Sequence, residues 1–497
     1  MGDDRNEAGG WQLIIGYLGI VLMLIGGIIL LPLLLLLVYP EEAGYASCFT
    51  VPGVTAILTG YVMSLFIRGR GKSRLIGHQD ALIVVFSWVL AIVFCAIPFM
   101  MTGRYDFTQS VFECTSGWST TGLSIVDVTV CPKIFLLFRS VMLFFGGVGL
   151  VLVMISVLSD RHGMRLYSAE GHSDRLLPNL VKSARMIIAI YTGYILSGTV
   201  LYMWFGMDWF DALNHSIAAL STGGFSTRAE SIGYYKSFGI EVVTIVLMLL
   251  GSTNFLAHLY LIRGRFKNFF AYCEVKLQLV LCALCTPVIA VLLIYGGLEG
   301  HIGQGLRDGL FQVVTALTTT GFQTVPSFAV WTSPLIMVMI LLMLIGGGTG
   351  STAGGIKQIR ICILLKSLYW SIRSKFTNQR MIHADGINRI EGYGYLKDRD
   401  RLENLDFVVL YLCVFAIGTF VLCCCGFGVG ESMFEFASSL GTVGLSVGIT
   451  SYDASKVVLW TETIGMLVGR LEIYVVFVAA VQFSHEMKNR NAEREER

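Results

Sequence analysis

The stretch Thr318-Thr319-Thr320-Gly321-Phe322-Gln323-Thr324 lies between apolar segments that are long enough to cross a membrane, and near-copies of it occur at three other places in the chain. All four copies contain Thr, any residue and Gly, in the pairs Thr120 and Gly122, Thr222 and Gly224, Thr319 and Gly321, and Thr442 and Gly444. The copies recur at intervals of about a hundred residues, which predicts repeats that each consist of a hairpin of membrane helices and a loop.

An acidic residue stands 11 or 14 positions before each of these threonines, namely Asp106, Asp208, Asp211, Asp308 or Glu431. Acidic side chains favour the first turn of a helix, where they complement its free N–H groups and its positive dipole end. We therefore expect each copy to be a short helix that leads into a Thr-x-Gly loop. A helix of about 11 to 14 residues is only ~17 to 21 Å long. It cannot cross a hydrocarbon core of ~30 Å, so it must return through the face by which it entered.

The composition assigns the chain to the polytopic helical membrane proteins, because 55% of its 497 residues are hydrophobic and 14% are charged. The first apolar run is too long for the core of a signal peptide, and it is expected to be a span. Ten spans are predicted. They cover residues 11–38, 46–67, 81–103, 133–158, 184–206, 240–262, 277–297, 334–372 (interrupted), 405–428 and 456–483.

The distribution of Lys and Arg predicts the orientation of the spans. Arg68, Arg70, Lys72 and Arg74 follow the second span directly, which indicates that this connection and the N-terminus are cytoplasmic. Alternate counting then places further basic segments inside, at Arg161 and Arg165, 263–267, 373–401 and 488–497. Both termini are therefore expected in the cytoplasm, and all four Thr-x-Gly loops on the outer side.

The twelve cysteines do not indicate a metal or redox site, because most of them lie in apolar spans, where a free thiol behaves as a small hydrophobic group. Cys282 and Cys285 match the pattern CxxC but have neither a second pair nor a nearby histidine. Cys48, Cys114 and Cys131 are expected near the outer face, and the sequence leaves open whether any of them pair.

Four glycine loops on one side of a membrane predict a cation filter. Glycine permits backbone angles that turn carbonyl oxygens toward a common axis, and rings of carbonyl oxygens replace the hydration shell of a potassium ion in channels. The plainer alternative is that the loops are tight turns between spans, in which Gly and Thr are ordinary. Four copies on one side, each behind a short helix, favour the filter.

The motifs resemble those of the Trk/Ktr/HKT superfamily of potassium and sodium transporters, and most closely its bacterial TrkH-type subunit, since two additional spans precede the first repeat. The likeness extends from Trp11 to the end of the chain. It is carried by FECTSGWSTTGLS, STGGFST, TTTGFQT and GTVGLS, by FRSVMLFFGGVG, by GGGTGSTAGGIK and by GRLEIY. The resemblance implies an all-α fold with a two-span segment at residues 1–80. Four helix-pore-helix repeats around a pseudo-fourfold pore would follow, at 81–170, 171–272, 273–404 and 405–497.

The family implies a single-layer filter of backbone carbonyls that binds K⁺. Its residues here would be Thr120, Thr121, Gly122, Thr222, Gly223, Gly224, Thr319, Thr320, Gly321, Thr442, Val443 and Gly444. Family members that carry sodium tend to have serine at the first filter glycine, so Gly122 favours potassium. Leu123 and Gln323 differ from the smaller residues that are frequent after the glycine.

A second informative stretch runs from Gly346 to Lys357 inside the eighth predicted span. It is not a phosphate-binding loop, because Lys357 follows Ile356 and the segment lies in an apolar span. Its glycines cannot hold a helix, so the span must break, and non-helical backbone at membrane depth must be buried in protein or line a cavity. The family's intramembrane gating loop occupies this motif; the alternative is a plain hinge. The candidate gate comprises Gly346, Gly347, Gly348, Thr349, Gly350, Ser351, Thr352, Ala353, Gly354, Gly355, Lys357 and Arg470.

Arg470 stands in the middle of the last predicted span, where a charge is costly and requires a partner. One alternative is a structural pairing with Glu435 or Glu472. The other is a positive barrier beside the permeation path, as the family's conserved arginine implies. Four further polar residues are expected to tie pore helices to spans rather than to touch an ion: Glu113, Arg139, Asn254 and His258.

The function predicted from these features is channel-like potassium uptake across the bacterial cytoplasmic (inner) membrane. A proton- or sodium-coupled symporter is the alternative, with Glu113 or Glu435 as the carboxylate on the path. No enzyme is expected, since no convergent catalytic set is present, and neither a cofactor nor a nucleic-acid partner is predicted. The resemblance implies a homodimer in the lipid bilayer and a cytoplasmic ring of nucleotide-binding (TrkA-like) regulatory subunits, which would dock on the basic segment 373–401.

Overall fold

The computed structural model describes residues 10–67, 79–149, 180–376, 386–390 and 392–495, and these are predominantly helical. The α-helices are α1 (Gly10–Leu30), α2 (Ala46–Ser64), α3 (Gln79–Met101), α4 (Phe107–Trp118), α5 (Lys133–Val148), α6 (Leu180–Trp204), α7 (Trp209–Leu220), α8 (Phe238–Gly251), α9 (Ala257–Ile262), α10 (Phe266–Ala271), α11 (Cys273–Tyr295), α12 (Ile302–Leu317), α13 (Ser333–Ile345), α14 (Gln358–Ser374), α15 (Asp398–Cys424), α16 (Val429–Leu440), α17 (Lys456–Arg470) and α18 (Ile473–Glu495). Short 3-10 helices lie at Leu31–Leu37, Pro40–Tyr45, Leu65–Ile67 and Ser231–Tyr235.

Six stretches of the described residues are long and apolar enough to cross a membrane: Trp11–Leu37, Pro40–Ser64, Gln79–Met101, Val181–Trp204, Cys273–Tyr295 and Asp398–Cys424. The pair Lys456–Arg470 and Ile473–Ser484 makes a seventh if it counts as one span, and Phe238–Gly251 and Ser333–Ile345 are shorter apolar helices. The chain is therefore a multi-pass helical protein, and the number ten stays a prediction. The basic residues at 68–74, 161 and 165 and the end of the fourth predicted span lie outside the described residues.

Three of the predicted spans are interrupted, although the sequence indicated only one interruption. The span predicted at 334–372 breaks between α13 and α14, which confirms the interruption at the glycine-rich stretch. The prediction of continuous spans at 240–262 and 456–483 was wrong. The first of these breaks between α8 and α9, and the second breaks between α17 and α18. At the break between α17 and α18, Glu472 has φ +57°. This left-handed backbone angle is uncommon for a residue other than glycine and interrupts the helix.

The chain divides into two compact units, and the first comprises Met1–Trp118, Val130–Ala189 and Leu471–Arg497. In this unit α1 packs along α2, and α3 packs against α1, α4 and α18. The carboxylate of Glu42 accepts hydrogen bonds from the N–H groups of Lys133 at 2.8 Å and Ile134 at 2.7 Å. A negative charge thus caps the N-terminus of α5, where the helix dipole favours it.

The second unit comprises Ser119–Thr129 and Ile190–Arg470. It contains all four Thr-x-Gly loops and the glycine-rich stretch, although the first loop comes from a separate segment of the chain. Within it α7 packs on α8, α12 lies against α11 and α13, and α16 packs against α13, α15 and α17. Many of its large apolar side chains remain exposed, for example Leu284, Val291 and Phe420, as expected for a surface that faces lipid.

The basic segment after α14 contains a two-stranded antiparallel hairpin, β1 (Gly386–Arg389) and β2 (Gly392–Tyr395), which the sequence analysis did not predict. Two side chains from helices hold it: Tyr260 donates to the carbonyl of Ile390 at 2.8 Å, and Lys366 donates to that of Gly386 at 2.6 Å. The three cysteines that were expected near the outer face, Cys48, Cys114 and Cys131, do not form disulfides with one another and are free thiols.

Candidate functional site

Each Thr-x-Gly loop follows a short helix, as predicted, and these helices are α4, α7, α12 and α16. Three of them contain 12 residues and α12 contains 16, so they are about 18 to 24 Å long at 1.5 Å per residue. The predicted capping role of the acids holds at three positions. Asp106 accepts from the N–H of Gln109 and Asp208 from that of Phe210, while Glu431 accepts from the N–H of Gly428 at the start of α16.

The predicted capping role is wrong for Asp308, because α12 begins at Ile302 and the aspartate lies in its second turn. Its carboxylate accepts instead from the hydroxyl of Thr324 at 2.9 Å and the amide of Gln304 at 2.7 Å. Asp211 lies in the first turn of α7, but its carboxylate is likewise directed to the loop that follows the helix, where Thr227 donates to it at 2.6 Å. Both acids therefore anchor a loop, and of the two only Asp211 lies in the first turn of its helix, as predicted.

The four filter threonines share one unusual backbone angle. Thr120 and Thr319 have φ +55°, and Thr222 and Thr442 have φ +52°. A β-branched residue with positive φ is a genuine outlier, and such strain costs about 1 to 3 kcal/mol and persists only where the surroundings impose it. The same strain at four equivalent positions indicates that the loops have one common shape.

The glycines of the four loops contact one another in cyclic order. A Cβ atom added to Gly122 would lie 2.4 Å from the carbonyl oxygen of Gly223, and one added to Gly224 would lie 2.1 Å from that of Thr320. The next two contacts continue the series and close it. A Cβ on Gly321 would lie 2.0 Å from the oxygen of Val443, and one on Gly444 would lie 2.1 Å from that of Thr121. Each loop thus touches the next, and the fourth touches the first.

All four glycines have positive φ, between +59° and +93°. Neither the angle nor the space admits a side chain, so glycine is required at these positions. The ring brings together the residues that the sequence assigned to the filter. The carbonyls that meet the neighbouring glycines belong to the residue immediately before the glycine in each loop: Thr121, Gly223, Thr320 and Val443.

A buried polar residue seven positions before the filter threonine braces three of the loops from behind. His215 lies 2.9 Å from the hydroxyl of Ser226, and Gln312 donates to Thr324 at 3.2 Å. Glu435 accepts from the hydroxyl of Ser446 at 2.6 Å. The sequence analysis noted only Glu435 among these, although the shared offset from the threonine was visible in the sequence.

The glycine-rich stretch, residues 346–357, lies against the filter threonines. Thr352 Oγ1 is 3.0 Å from that of Thr222, and its carbonyl oxygen is 3.5 Å from Thr120 Oγ1. The N–H of Gly354 donates to Thr319 Oγ1 at 2.9 Å. A Cβ on Gly354 would lie 2.1 Å from Thr442 Oγ1. One turn of backbone, Thr352 to Gly354, therefore contacts the filter threonines of all four loops.

The beginning of the same stretch is held by Glu274 of α11 and by the residues at the break after α8. Thr349 donates its N–H to the buried carboxylate of Glu274 at 3.0 Å, and its carbonyl accepts from the amide of Asn254 at 2.6 Å. The N–H of Gly348 donates to the carbonyl of Ser252 at 2.8 Å. These bonds account for the break after α8, since its backbone groups pair with the glycine-rich stretch instead of continuing a helix.

The two basic residues assigned to the gate both reach this stretch. Arg470 donates to the carbonyl oxygen of Thr352 at 2.6 Å, and Lys357 donates to that of Ala353. Arg470 is the last residue of α17 and not mid-helix as predicted. In the described chain Glu435 is bonded only to Ser446, Val447 and Thr450, so the proposed pairing of Arg470 with Glu435 was wrong.

The four polar residues that were predicted to tie pore helices to spans have different partners. Glu113 accepts from Arg139 at 2.7 Å, and this buried ion pair joins α4 to α5 as predicted. Asn254 binds the glycine-rich stretch rather than a pore helix, and His258 lies 3.4 Å from the hydroxyl of Tyr194. Glu274 was not predicted as a partner of the glycine-rich stretch, because Glu274 and Thr349 are 75 residues apart in the sequence.

These features define the class first: a multi-pass helical membrane protein in which four short helices lead into a closed ring of glycine loops. Residues 53–490 match the model of the TrkH family, described as cation transport proteins. The chain belongs to this family.

Similar proteins cover nearly the whole chain. It is 30% identical over 481 residues to the Trk system potassium uptake protein TrkH of Escherichia coli K12, covering 93% of this chain and 96% of that one. It is 30% identical over 476 residues to an uncharacterized cation transporter of Methanocaldococcus jannaschii, covering 94% of each. The crystal structure of the potassium transporter TrkH from Vibrio parahaemolyticus matches with a TM-score of 0.82 at 26% identity, covering 94% of this chain and 98% of that one.

Proposed function

We propose that the chain is the translocating subunit of a potassium uptake system and that K⁺ passes through the ring of Thr-x-Gly loops. The observation that carries the proposal is the cyclic contact between each filter glycine and the carbonyl of the next loop. Carbonyl oxygens arranged in a ring replace the water around a dehydrated cation. The C-terminal ends of α4, α7, α12 and α16 precede the loops, and their negative dipole ends favour a cation there.

The ten spans, arranged as a two-span segment and four helix-pore-helix repeats, belong to the same proposal. It is supported by the common φ of the four threonines and by the short helix before each loop. The membrane is the bacterial cytoplasmic membrane, with both termini in the cytoplasm. The similarity to Trk system potassium uptake proteins favours K⁺ as the transported ion.

The glycine-rich stretch is the gate of this path. Its turn Thr352 to Gly354 contacts the threonines of the ring, and Arg470 places a positive charge on the carbonyl of Thr352. A cation that leaves the ring would encounter the positive charge of Arg470 and the turn of backbone that Arg470 binds. For the path to open the turn must leave the threonines, and the bonds of Glu274 and Asn254 to Thr349 are those that resist this movement.

The regulatory partner is a cytoplasmic nucleotide-binding assembly of the TrkA type, and the protein works as a homodimer. The hairpin β1–β2 and α14 are the proposed dock, because α14 follows the glycine-rich stretch directly and exposes Tyr369 and Ile372, and Phe376 just after the helix is exposed as well. A pull on α14 would be transmitted to Lys357 and so to the gate.

Uptake of Rb⁺ and of Na⁺ into liposomes that contain the purified protein tests the filter and the cargo. We expect Rb⁺ uptake well above that of Na⁺. Equal uptake of Rb⁺ and Na⁺ by the intact protein would contradict the assignment of K⁺ as the transported ion. Replacement of residues 347–354 by a short linker is expected to raise Rb⁺ flux, because it removes the gate. The alternative, a proton- or sodium-coupled symporter, predicts that Rb⁺ uptake stops when the proton and sodium gradients are collapsed, whereas a passive path continues to follow the Rb⁺ gradient alone.

A further inference from the structure

Two buried glutamates meet behind the fourth loop. Glu435 lies on α16 and Glu462 on α17, and neither side chain is accessible to solvent. The hydroxyl oxygen of Thr450 connects them, since it lies 2.6 Å from Glu435 Oε1 and 3.0 Å from Glu462 Oε2. Glu462 Oε1 is buried and has no hydrogen-bond partner in the part of the chain that the structure describes.

The number of available protons determines the ionisation of this pair. A threonine hydroxyl has one hydrogen and can donate to only one carboxyl group, while a carboxylate cannot donate at all. When the Thr450 hydroxyl donates to one glutamate, the other must therefore donate to the Thr450 oxygen, and it must carry a proton to do so. Glu435 Oε1, Thr450 Oγ1 and Glu462 Oε2 can therefore form two consecutive hydrogen bonds only when one of the glutamates is protonated.

The neighbouring donors identify the glutamate that carries the proton. Glu435 accepts from the Ser446 hydroxyl at 2.6 Å and from the backbone N–H groups of Val447 at 3.0 Å and Thr450 at 2.9 Å. Several donors of this kind stabilise the ionised form. Among the described residues, Glu462 has the Thr450 hydroxyl as its single hydrogen-bond partner, and its second oxygen has none. An unpaired buried oxygen is far less costly as the carbonyl oxygen of a neutral acid than as part of a charged carboxylate.

No cation balances the pair in the described part of the chain. Glu435 is the charged side chain close enough to act on Glu462. Of the elements packed against α16, α13 has no ionisable residue, and α17 ends at Arg470, which donates to Thr352. α15 carries its acidic and basic side chains between Asp398 and Asp406, in its first turns, and the rest of the helix has Tyr411 and three cysteines as its ionisable groups. Tyr452, Asp453 and Lys456, at the start of α17 and in the loop before it, are exposed.

We propose that Glu435, Thr450 and Glu462 form a proton-binding site that regulates transport through the fourth loop, with the proton on Glu462. The regulatory part rests on the proposed function. When Glu462 loses its proton, the single hydroxyl of Thr450 cannot serve two carboxylates, and a second buried negative charge appears beside Glu435. Glu435 also holds Ser446 and Val447, which follow Gly444, so the change reaches the filter loop directly.

The glutamate pair is separated from solvent by the loop that follows Gly444. In this loop Gly448 is exposed, and three residues are partly exposed: Ser446, Val447 and Thr450. A proton can therefore exchange with the side of the membrane that the loop faces. Rising pH on that side is expected to lower Rb⁺ flux, because ionisation of Glu462 weakens the support of the fourth loop.

The first test measures the proton without transport. Infrared spectra of the purified full-length protein in H₂O and D₂O are compared for wild type, Glu462→Gln and Glu431→Gln. Glu431 provides a matched control, since it is an exposed acid at the start of the same α16. We expect a protonated-carboxyl band that shifts in D₂O in wild type and Glu431→Gln and is lost in Glu462→Gln. Absence of the band from wild type at neutral pH would overturn the proton site whatever the transport results.

The second test measures Rb⁺ uptake into proteoliposomes with the same pH on both sides, across a pH series. Wild type and Glu431→Gln are expected to lose flux as pH rises. Glu462→Gln is expected to lose this dependence, because the glutamine amide always donates to Thr450. A band that disappears in Glu462→Gln together with an unchanged pH profile would refute the regulation. No Rb⁺ flux in any protein, with the band present, would contradict the proposed function and support the proton site.

A second pair of variants covers the case in which Glu462→Gln does not fold. Thr450→Ser retains the shared hydroxyl and is expected to keep the wild-type pH profile. Thr450→Val removes it, and the profile should shift, because Glu435 loses a donor and Glu462 its only partner. Identical profiles for the two variants would overturn the role of the shared hydroxyl.

Discussion

The second and fourth Thr-x-Gly loops share the same threonine angle and the same close glycine contact, but different groups support them. Thr222 and Thr442 both have φ +52°, and the glycines Gly224 and Gly444 approach a neighbouring carbonyl equally closely. Behind the second loop the Asp211 carboxylate is matched by the guanidinium of a partly exposed arginine at 2.8 Å. Behind the fourth loop, in the described residues, a carboxylate is matched by neutral donors and a second acid.

The difference shows which properties of the ring are constrained. The strained threonine and the glycine recur without variation because the contact between loops leaves no room for alternatives. The supports vary because any set of donors that satisfies the carboxylate holds the loop in place. Asp211 reaches Thr227, Arg228 and Tyr235 at 2.6 to 2.9 Å, and Glu435 obtains a comparable number of bonds from its own loop. We expect the second support to respond to salt and the fourth to respond to protons.

The largest effect is expected at the glycines, where the two loops make the same close contact. Gly224→Ala and Gly444→Ala each place a Cβ atom 2.1 Å from a backbone carbonyl oxygen of the next loop, and alanine at positive φ costs roughly 1 to 2 kcal/mol in addition. Both variants should lose Rb⁺ uptake to background in proteoliposomes. Gly193→Ala and Gly430→Ala serve as controls because a Cβ there meets nothing within 4 Å. Wild-type Rb⁺ flux and ion preference in either filter variant would show that the loops do not form the path.

The next effect distinguishes the two supports. Glu435→Ala removes the acceptor of the Ser446 hydroxyl and of the N–H groups of Val447 and Thr450, whereas the Thr450 hydroxyl can still donate to Glu462. Each buried donor left without an acceptor costs about 1 to 3 kcal/mol. Asp211→Ala releases Thr227, Tyr235 and Arg228, and the arginine side chain is already 41% exposed and can be hydrated. We therefore expect Glu435→Ala to lose more thermal stability and more Rb⁺ flux than Asp211→Ala. Thermal unfolding of the purified variants and initial uptake rates measure both quantities, and the reverse order would contradict the comparison.

The parts predicted from sequence were those that repeat or that composition determines. The Thr-x-Gly spacing and the short preceding helices indicated the loops, and six glycines between Gly346 and Gly355 indicated the interruption of a span. The breaks after α8 and α17 escaped prediction, because they depend on tertiary contacts. At the first of these a Cβ on Gly251 would lie 2.2 Å from the carbonyl of Leu220. No local pattern encodes such a contact.

The partners of charged residues were the least predictable part of the site. Asp308 was interpreted as a helix cap from its distance to Thr319, but α12 begins earlier than the acid, and the side chain binds Thr324. Glu462 attracted no attention because its significance depends on Glu435 and Thr450 lying close to it in space. A charge in an apolar span indicates that a partner exists, but the identity of the partner follows only from the fold.

The smallest effect concerns the cation of the second support. Arg228→Gln removes the guanidinium from Asp211 but leaves the donors Thr227 and Tyr235 in place. Because the arginine is partly exposed, the loss should be about 1 kcal/mol or less, seen as a slightly lower unfolding temperature. Since salt screens exposed charges over ~10 Å at 0.1 M, the difference from wild type should shrink as salt is raised. In Glu435→Gln the deficit should remain at high salt, because Glu435 is fully buried. A deficit that disappears with salt in both variants would mean that the two loops are supported in the same way after all.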